Sequence, residues 1–246
     1  MKYKYSSLTR LKIQFYKHFR KEEEFTNYLK LLMYHDLNKY GPRILEIFNE
    51  LTSKRNIDYW LTWGTLLGCY REKGFIKGDN DLDIGMFYTD ITMEFIDELI
   101  SKGFKFDDSI VDKDFRGYHV TFNYCNVKVD IYSFKMDNTG KRFEGYTPDA
   151  LNGNWEEAIR NNKYLTKRVD FPFNGIREVD FKGVRTKVPN GEIEQLKILY
   201  GEDFMTPIPG YKSKPNEHVF IDDINYFYSQ SYDYDSFVDL KSKGLI

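Results

Sequence analysis

A pair of aspartates in an apolar stretch constrains this chain more than any other feature. Residues 82–87, Leu-Asp-Ile-Gly-Met-Phe, read as a buried strand, yet Asp83 lies within it and Asp81 just before it. On a strand, residues two apart share a face and stand roughly 7 Å apart along the backbone. Asp81 and Asp83 therefore project side by side while Leu82 and Ile84 enter the core. Two carboxylates so placed repel each other and lose hydration. Something positive has to face them.

A divalent cation meets that need. Hard oxygen ligands suit Mg²⁺ or Mn²⁺, which bind one or two carboxylates together with a substrate phosphate. Two such ions can hold the attacking and the leaving oxygen of an in-line displacement at phosphorus. The expected cofactor is a pair of Mg²⁺ or Mn²⁺ ions. A third acid belongs in such a site, and Asp130 is the candidate. It interrupts the apolar strand pattern Val127-Lys128-Val129-Asp130-Ile131. If that strand neighbours residues 82–87, the cluster is complete.

Upstream, Gly64-Thr65 lies where a strand, residues 58–62, gives way to a short helix, residues 64–73. Backbone amides at a helix start favour a phosphate, and glycine allows close approach. Thr65 adds a hydroxyl, and Arg71 and Lys73 follow within two turns. The candidate catalytic and metal residues are thus Asp81, Asp83 and Asp130, and the candidate cofactor-binding residues are Gly64, Thr65 and Arg71. Asp79 follows Lys77-Gly78 and reads as a turn residue. His119 reads as a structural histidine, and Glu192 as a favourable first-turn acid.

These residues carry a resemblance. Gly64-Thr65-Leu66-Leu67-Gly68, then Arg71, then Gly74-Phe75-Ile76, then Asp79-Asn80-Asp81-Leu82-Asp83-Ile84 resembles the LicD and fukutin-related phosphotransferases. A second stretch agrees: Val188-Pro189-Asn190, Leu196, Tyr200-Gly201 and Pro207. The likeness runs from about residue 58 to residue 209. It implies a nucleotidyltransferase-like fold, a mixed sheet flanked by helices. It also implies transfer of a phosphorylated alcohol, such as phosphocholine or ribitol phosphate, from a CDP-linked donor to a sugar hydroxyl, releasing CMP. The implied acceptor is a glycan or lipid-linked glycan. Lys77-Gly78 and Asn80 depart from the family pattern, which carries Pro-Trp and an acid there.

The rival reading is a glycosyltransferase whose Asp-x-Asp pair holds a nucleotide sugar through a metal. Asp130 and the Gly-Thr helix start argue against it. A second rival, an inactive relative that binds a glycan, is opposed by the intact acids.

The rest of the chain fits a mixed α/β (α+β) domain with a helical N-terminal segment. Residues 25–55 read as two helices broken at Tyr40-Gly41-Pro42, the usual stop and start signals. Residues 92–102 read as a helix stopped by Gly103. Residues 118–124 and 127–134 pair around Cys125-Asn126, and residues 178–181 and 184–188 around Lys182-Gly183. Residues 192–200 form a helix stopped by Gly201. The Tyr- and Asp-rich tail carries no readable pattern. The expected organisation is a basic helical segment at 1–24, a catalytic core at 25–140, and a part at 141–246 that completes the substrate site.

Composition narrows the partners. The 36 Lys and Arg against 38 Asp and Glu leave a net charge of −2, which disfavours a nucleic-acid partner. Two cysteines without metal-ligand spacing point to reduced thiols and a cytoplasmic setting. Residues 1–21 are basic, with Leu8, Leu11, Phe15 and Phe19 at helical spacing. They read as a helix packed on its own domain with a solvated basic face, or alternatively as one that makes peripheral contact with an anionic membrane.

Overall fold

The computed structural model describes residues 22–150, 154–208, 219–220 and 228–246. The basic segment expected at the N-terminus lies outside these residues, apart from the start of the first helix. Helix α1 spans Glu22–Arg55. Strand β1 (Tyr59–Leu61) leads into a short helix α2 (Trp63–Leu67) and a π-helical turn, Gly68–Glu72. Then come β2 (Asp81–Phe87), α3 (Met93–Ser101), β3 (Lys105–Asp112), β4 (Tyr118–Tyr124), β5 (Val127–Met136) and β6 (Arg142–Asp149). Helix α4 (Trp155–Asn161), β7 (Tyr164–Pro172), the hairpin β8 (Ile176–Phe181) and β9 (Val184–Pro189), and α5 (Glu192–Tyr200) follow. The described chain ends with β10 (Val219–Phe220), β11 (Tyr228–Tyr232) and α6 (Tyr234–Ser242). The result is a mixed α/β fold with a large mixed sheet flanked by helices.

Helix α1 corrects the expected break at residues 40–42. It runs straight through Gly41 and Pro42. Gly41 does not take the positive φ of a helix-ending glycine. Its role is space: a Cβ there would stand 2.5 Å from Phe75 Cζ. An interior proline costs a helix about 3 kcal/mol. Leu37 before it, and Ile44, Leu45 and Phe48 after it, are all fully buried. Each contributes about 1.5–3 kcal/mol on burial, so packing outweighs the proline.

The turns follow local chemistry. Cys125 and Asn126, and likewise Lys182 and Gly183, all take positive φ, as two-residue hairpin turns require. Thr92 caps α3 by accepting a hydrogen bond from the Phe95 amide at 3.3 Å.

Strands β2 and β5 lie parallel and adjacent, with Asp83 opposite Asp130. Strands β1 and β4 flank them, antiparallel. Beyond β4 the sheet continues through β3, β11 and β7, and β6 joins β7 back to β5. Six strands therefore close on themselves.

Alternation divides the two faces of β1, β2, β4 and β5. Tyr59, Leu61, Leu82, Ile84, Met86, Val120, Phe122, Val129 and Ile131 join one core with α1, α3 and α6. The opposite face is part aromatic and part polar. Trp60, Phe134, Phe143 and Phe171 form its apolar half, to which α5 adds Ile198 and Leu199. The charged residues of the motif occupy the other half.

Gly85 joins the halves. It pairs with Trp60, whose ring lies across it; a Cβ there would stand 2.2 Å from the indole Nε1. Phe87, Phe134 and Phe143 pack around that indole at 5.0–5.6 Å between ring centroids. The ring has nowhere to move. Gly85→Val should destabilise the fold by about 3 kcal/mol, the upper range for overpacking. A urea midpoint unchanged from wild type would refute this packing.

Candidate metal centre

The site is assembled by strand register. The two-residue period of β2 puts Asp81 and Asp83 on its polar face. Parallel pairing sets Asp130 beside Asp83 and Lys128 beside Asp81. Antiparallel β4 sets Thr121 beside Asp130 and His119 beside Tyr132. Asp81, Asp83 and Asp130 each offer an oxygen within 4.8 Å of the others. A group of hard carboxylate oxygens at this spacing could hold a divalent ion.

Each acid is held differently. The Thr65 amide donates to Asp83 Oδ2 at 3.2 Å, and the Asp83 amide donates to Thr65 Oγ1 at 2.8 Å. Thr65, expected to bind a phosphate, thus already grips Asp83 through its amide. Asp130 is more heavily loaded. Thr121 Oγ1 donates to its Oδ1 at 2.9 Å, and Lys128 Nζ pairs with its Oδ2 at 2.7 Å. His119 Nε2 lies 3.0 Å from Oδ1, but its N–H is not aligned for a hydrogen bond.

These contacts split the carboxyl pKa values. Burial, then repulsion from Asp81 and Asp130, pushes Asp83 well above the ordinary carboxylate value. Burial and Asp130 push Asp81 up as well. Burial would also raise Asp130, but Lys128 and His119 more than cancel it and hold that carboxyl below its usual range. Asp130 is therefore set up to bind a cation rather than to take up a proton. A divalent ion would remove the repulsion that Asp81 and Asp83 carry.

The flanking residues differ from the sequence reading in detail. Asp79 does sit in a turn, its amide donating to the Ile76 carbonyl at 3.0 Å. Yet it also reaches the site. A Cβ on Gly64 would stand 3.3 Å from Asp83 Oδ2 and 3.5 Å from Asp79 Oδ2. Burial and the charge of Asp81 push Asp79 up to about 6. Gly64 thus leaves room for two carboxylates. Arg71 is turned to the protein: it donates to the Phe204 carbonyl at 3.1 Å and to Glu72 at 2.7 Å. Its charge still reaches Asp79 and partly offsets that rise. Glu192 pairs with Arg177 across the start of α5.

Three neighbours were not read as site residues from the sequence. Lys128 is one, although the β5 alternation puts it on the face of Asp130. Tyr200 is another; burial and the nearby Asp83, Asp79 and Asp81 drive its hydroxyl pKa upward. Trp63 is the third, a bulky residue at φ 43, where strain of about 1–3 kcal/mol is expected. Its ring packs on Tyr132 at 5.5 Å, and Tyr132 stacks on His119 at 4.7 Å, forming an aromatic wall beside the acids.

Known proteins share this segment. The family model described as LicD/FKTN/FKRP, nucleotidyltransferase domain, matches residues 56–191. The chain is 26% identical to the ribitol-5-phosphate transferase FKTN of Homo sapiens over 188 residues, covering 72% of this chain and 36% of that protein. It is 43% identical over 54 residues to the lipopolysaccharide cholinephosphotransferase LicD of Haemophilus influenzae, covering 22% of this chain and 20% of that protein. The chain thus spans about a third of the length of the fukutin relatives it matches. With the matched residues covering more than half of its length, the chain belongs to the LicD/FKTN/FKRP nucleotidyltransferase-domain family.

Proposed function

We propose that this chain transfers a phosphorylated alcohol from a CDP-linked donor to a sugar hydroxyl of a glycan, releasing CMP. The observation that carries the reading is the convergence of Asp81, Asp83 and Asp130 from two neighbouring parallel strands. Relatives named as ribitol-5-phosphate and choline-phosphate transferases support the class of group moved.

In this reading the three aspartates hold Mg²⁺ or Mn²⁺, as a pair. Bound there, the ions neutralise charge on the transferring phosphoryl group and activate the acceptor hydroxyl. Thr65 fixes Asp83, while Thr121 fixes Asp130. Gly64 keeps the approach to the acids open, and Arg71 bounds it beside Asp79. Residues 25–140 then supply the catalytic core, and residues 141–246 complete the substrate site. Asp130 favours this chemistry over sugar transfer, because a nucleotide-sugar site needs only its local acid pair.

The test is a thermal-shift screen of CDP-choline, CDP-ribitol, CDP-glycerol and CDP-ethanolamine with Mg²⁺, followed by nucleotide analysis. A ligand that binds only the native state raises Tm. One donor should stabilise the protein and yield CMP, and EDTA should abolish turnover. Full activity after exhaustive chelation would sink the metal reading. Release of a nucleoside diphosphate from a nucleotide sugar would favour the glycosyltransferase.

A further inference from the structure

Lys128 is a cation inside an acidic cluster. Its ammonium lies 2.7 Å from Asp130 Oδ2, and its place on β5 is opposite Asp81 on β2. Asp130 is 2% exposed at its side chain, while Lys128 is 32% exposed. Lys128 is thus the member of the pair that borders solvent. Oδ1 of Asp130 is taken by Thr121. Lys128 pairs with Oδ2, so an ion bound at that oxygen would compete with it.

We propose that Lys128 is a resident counter-ion of the acidic cluster, which holds Asp130 until a divalent cation arrives, then releases it and turns its ammonium to the donor's phosphate. The inference rests on reading the cluster as a metal site. Like any lysine amine facing carboxylates, Lys128 carries its charge near neutral pH. Two like charges cannot share one carboxylate oxygen cheaply. Divalent binding and the Lys128–Asp130 contact are therefore antagonistic. A flexible four-carbon stem lets the amine reach a new anion.

The experiment is Mn²⁺ titration by calorimetry on the full chain, as wild type, Lys128→Met and Lys128→Arg. Removing the competing charge should tighten Mn²⁺ binding by about tenfold or more, while Lys128→Arg stays near wild type. CDP, titrated with Mn²⁺ present, should bind about tenfold more weakly to Lys128→Met. A purely structural lysine predicts the opposite for the metal, namely affinity lost together with stability. Unchanged or weaker Mn²⁺ binding by folded Lys128→Met overturns the inference and leaves the metal reading standing. No Mn²⁺ binding by wild type overturns the metal reading and this inference with it. If Lys128→Met does not fold, acetic anhydride labelling of wild type decides. Mg²⁺ alone should speed Lys128 acetylation several-fold, and CDP with Mg²⁺ should reverse the change; labelling indifferent to Mg²⁺ overturns the inference.

Discussion

Asp83→Asn and Asp81→Asn should each lower turnover by about a thousandfold or more, while the metal-free protein becomes no less stable. The activity loss follows from removing a ligand that holds the phosphoryl-transfer centre, where one electrostatic element contributes about 10²–10³ and a lost metal more. The stability sign follows from the raised pKa values of both acids. A carboxyl raised in the folded state contributes stability that is full below the ordinary value near 4 and is lost as pH rises through the folded value. At pH 7 the metal-free wild type carries that penalty, and the asparagine variants do not. Asp79, pushed to about 6, adds the same trend between about pH 4 and 6. Lowering the pH from 7 toward 5 should therefore raise the Tm of the metal-free wild type relative to either variant. Near-normal turnover in a variant, or a Tm gap that does not move with pH, would remove that residue from the centre.

Asp130→Ala should act with the opposite sign on stability. This carboxyl is held below its usual range, so its contribution is present above the ordinary carboxylate value and lost as pH falls through the folded value. Truncating it leaves Lys128 and Thr121 without their shared partner. Breaking a buried pair costs about 3–5 kcal/mol. The exposure of Lys128 places the loss below that range. The kinetic effect should be a kcat lowered by at least about a hundredfold, the scale of a positioned charged group. Donor affinity should change only a few fold, since Asp81, Asp83, Thr65 and Arg71 remain in place. Unfolding and single-turnover measurements on the same preparation read both effects. Retained kcat would dismiss Asp130 and restore the glycosyltransferase reading.

Local patterns made much of this legible. Alternation in 82–87 and 127–134, helical spacing in 92–102 and 192–200, and two-residue turn chemistry all depend on near neighbours. Gly41-Pro42 misled because a stop signal and a packing notch share a residue type; only the distant Phe75 distinguishes them. Strand β3 carries Lys105, Asp107, Asp108 and Asp112 among few apolar residues, which hid its period. The site was half visible for the same reason. Asp81, Asp83 and Asp130 stand out as acids in apolar runs. Lys128 on the same face as Asp130 could have been read from the two-residue period alone. His119 could not, because the contact depends on how β4 registers against β5.

The closed set of six strands has a consequence for synthesis. Its last member, β11, inserts between β3 and β7, more than a hundred residues after β3 has been made. During translation, β3 emerges long before the strand that closes the ring beside it. Pairings this distant in sequence are slow to form, and unpaired edges invite aggregation while they wait. The nascent chain up to about residue 227 should therefore depend on chaperones until β11 pairs with β3 and β7.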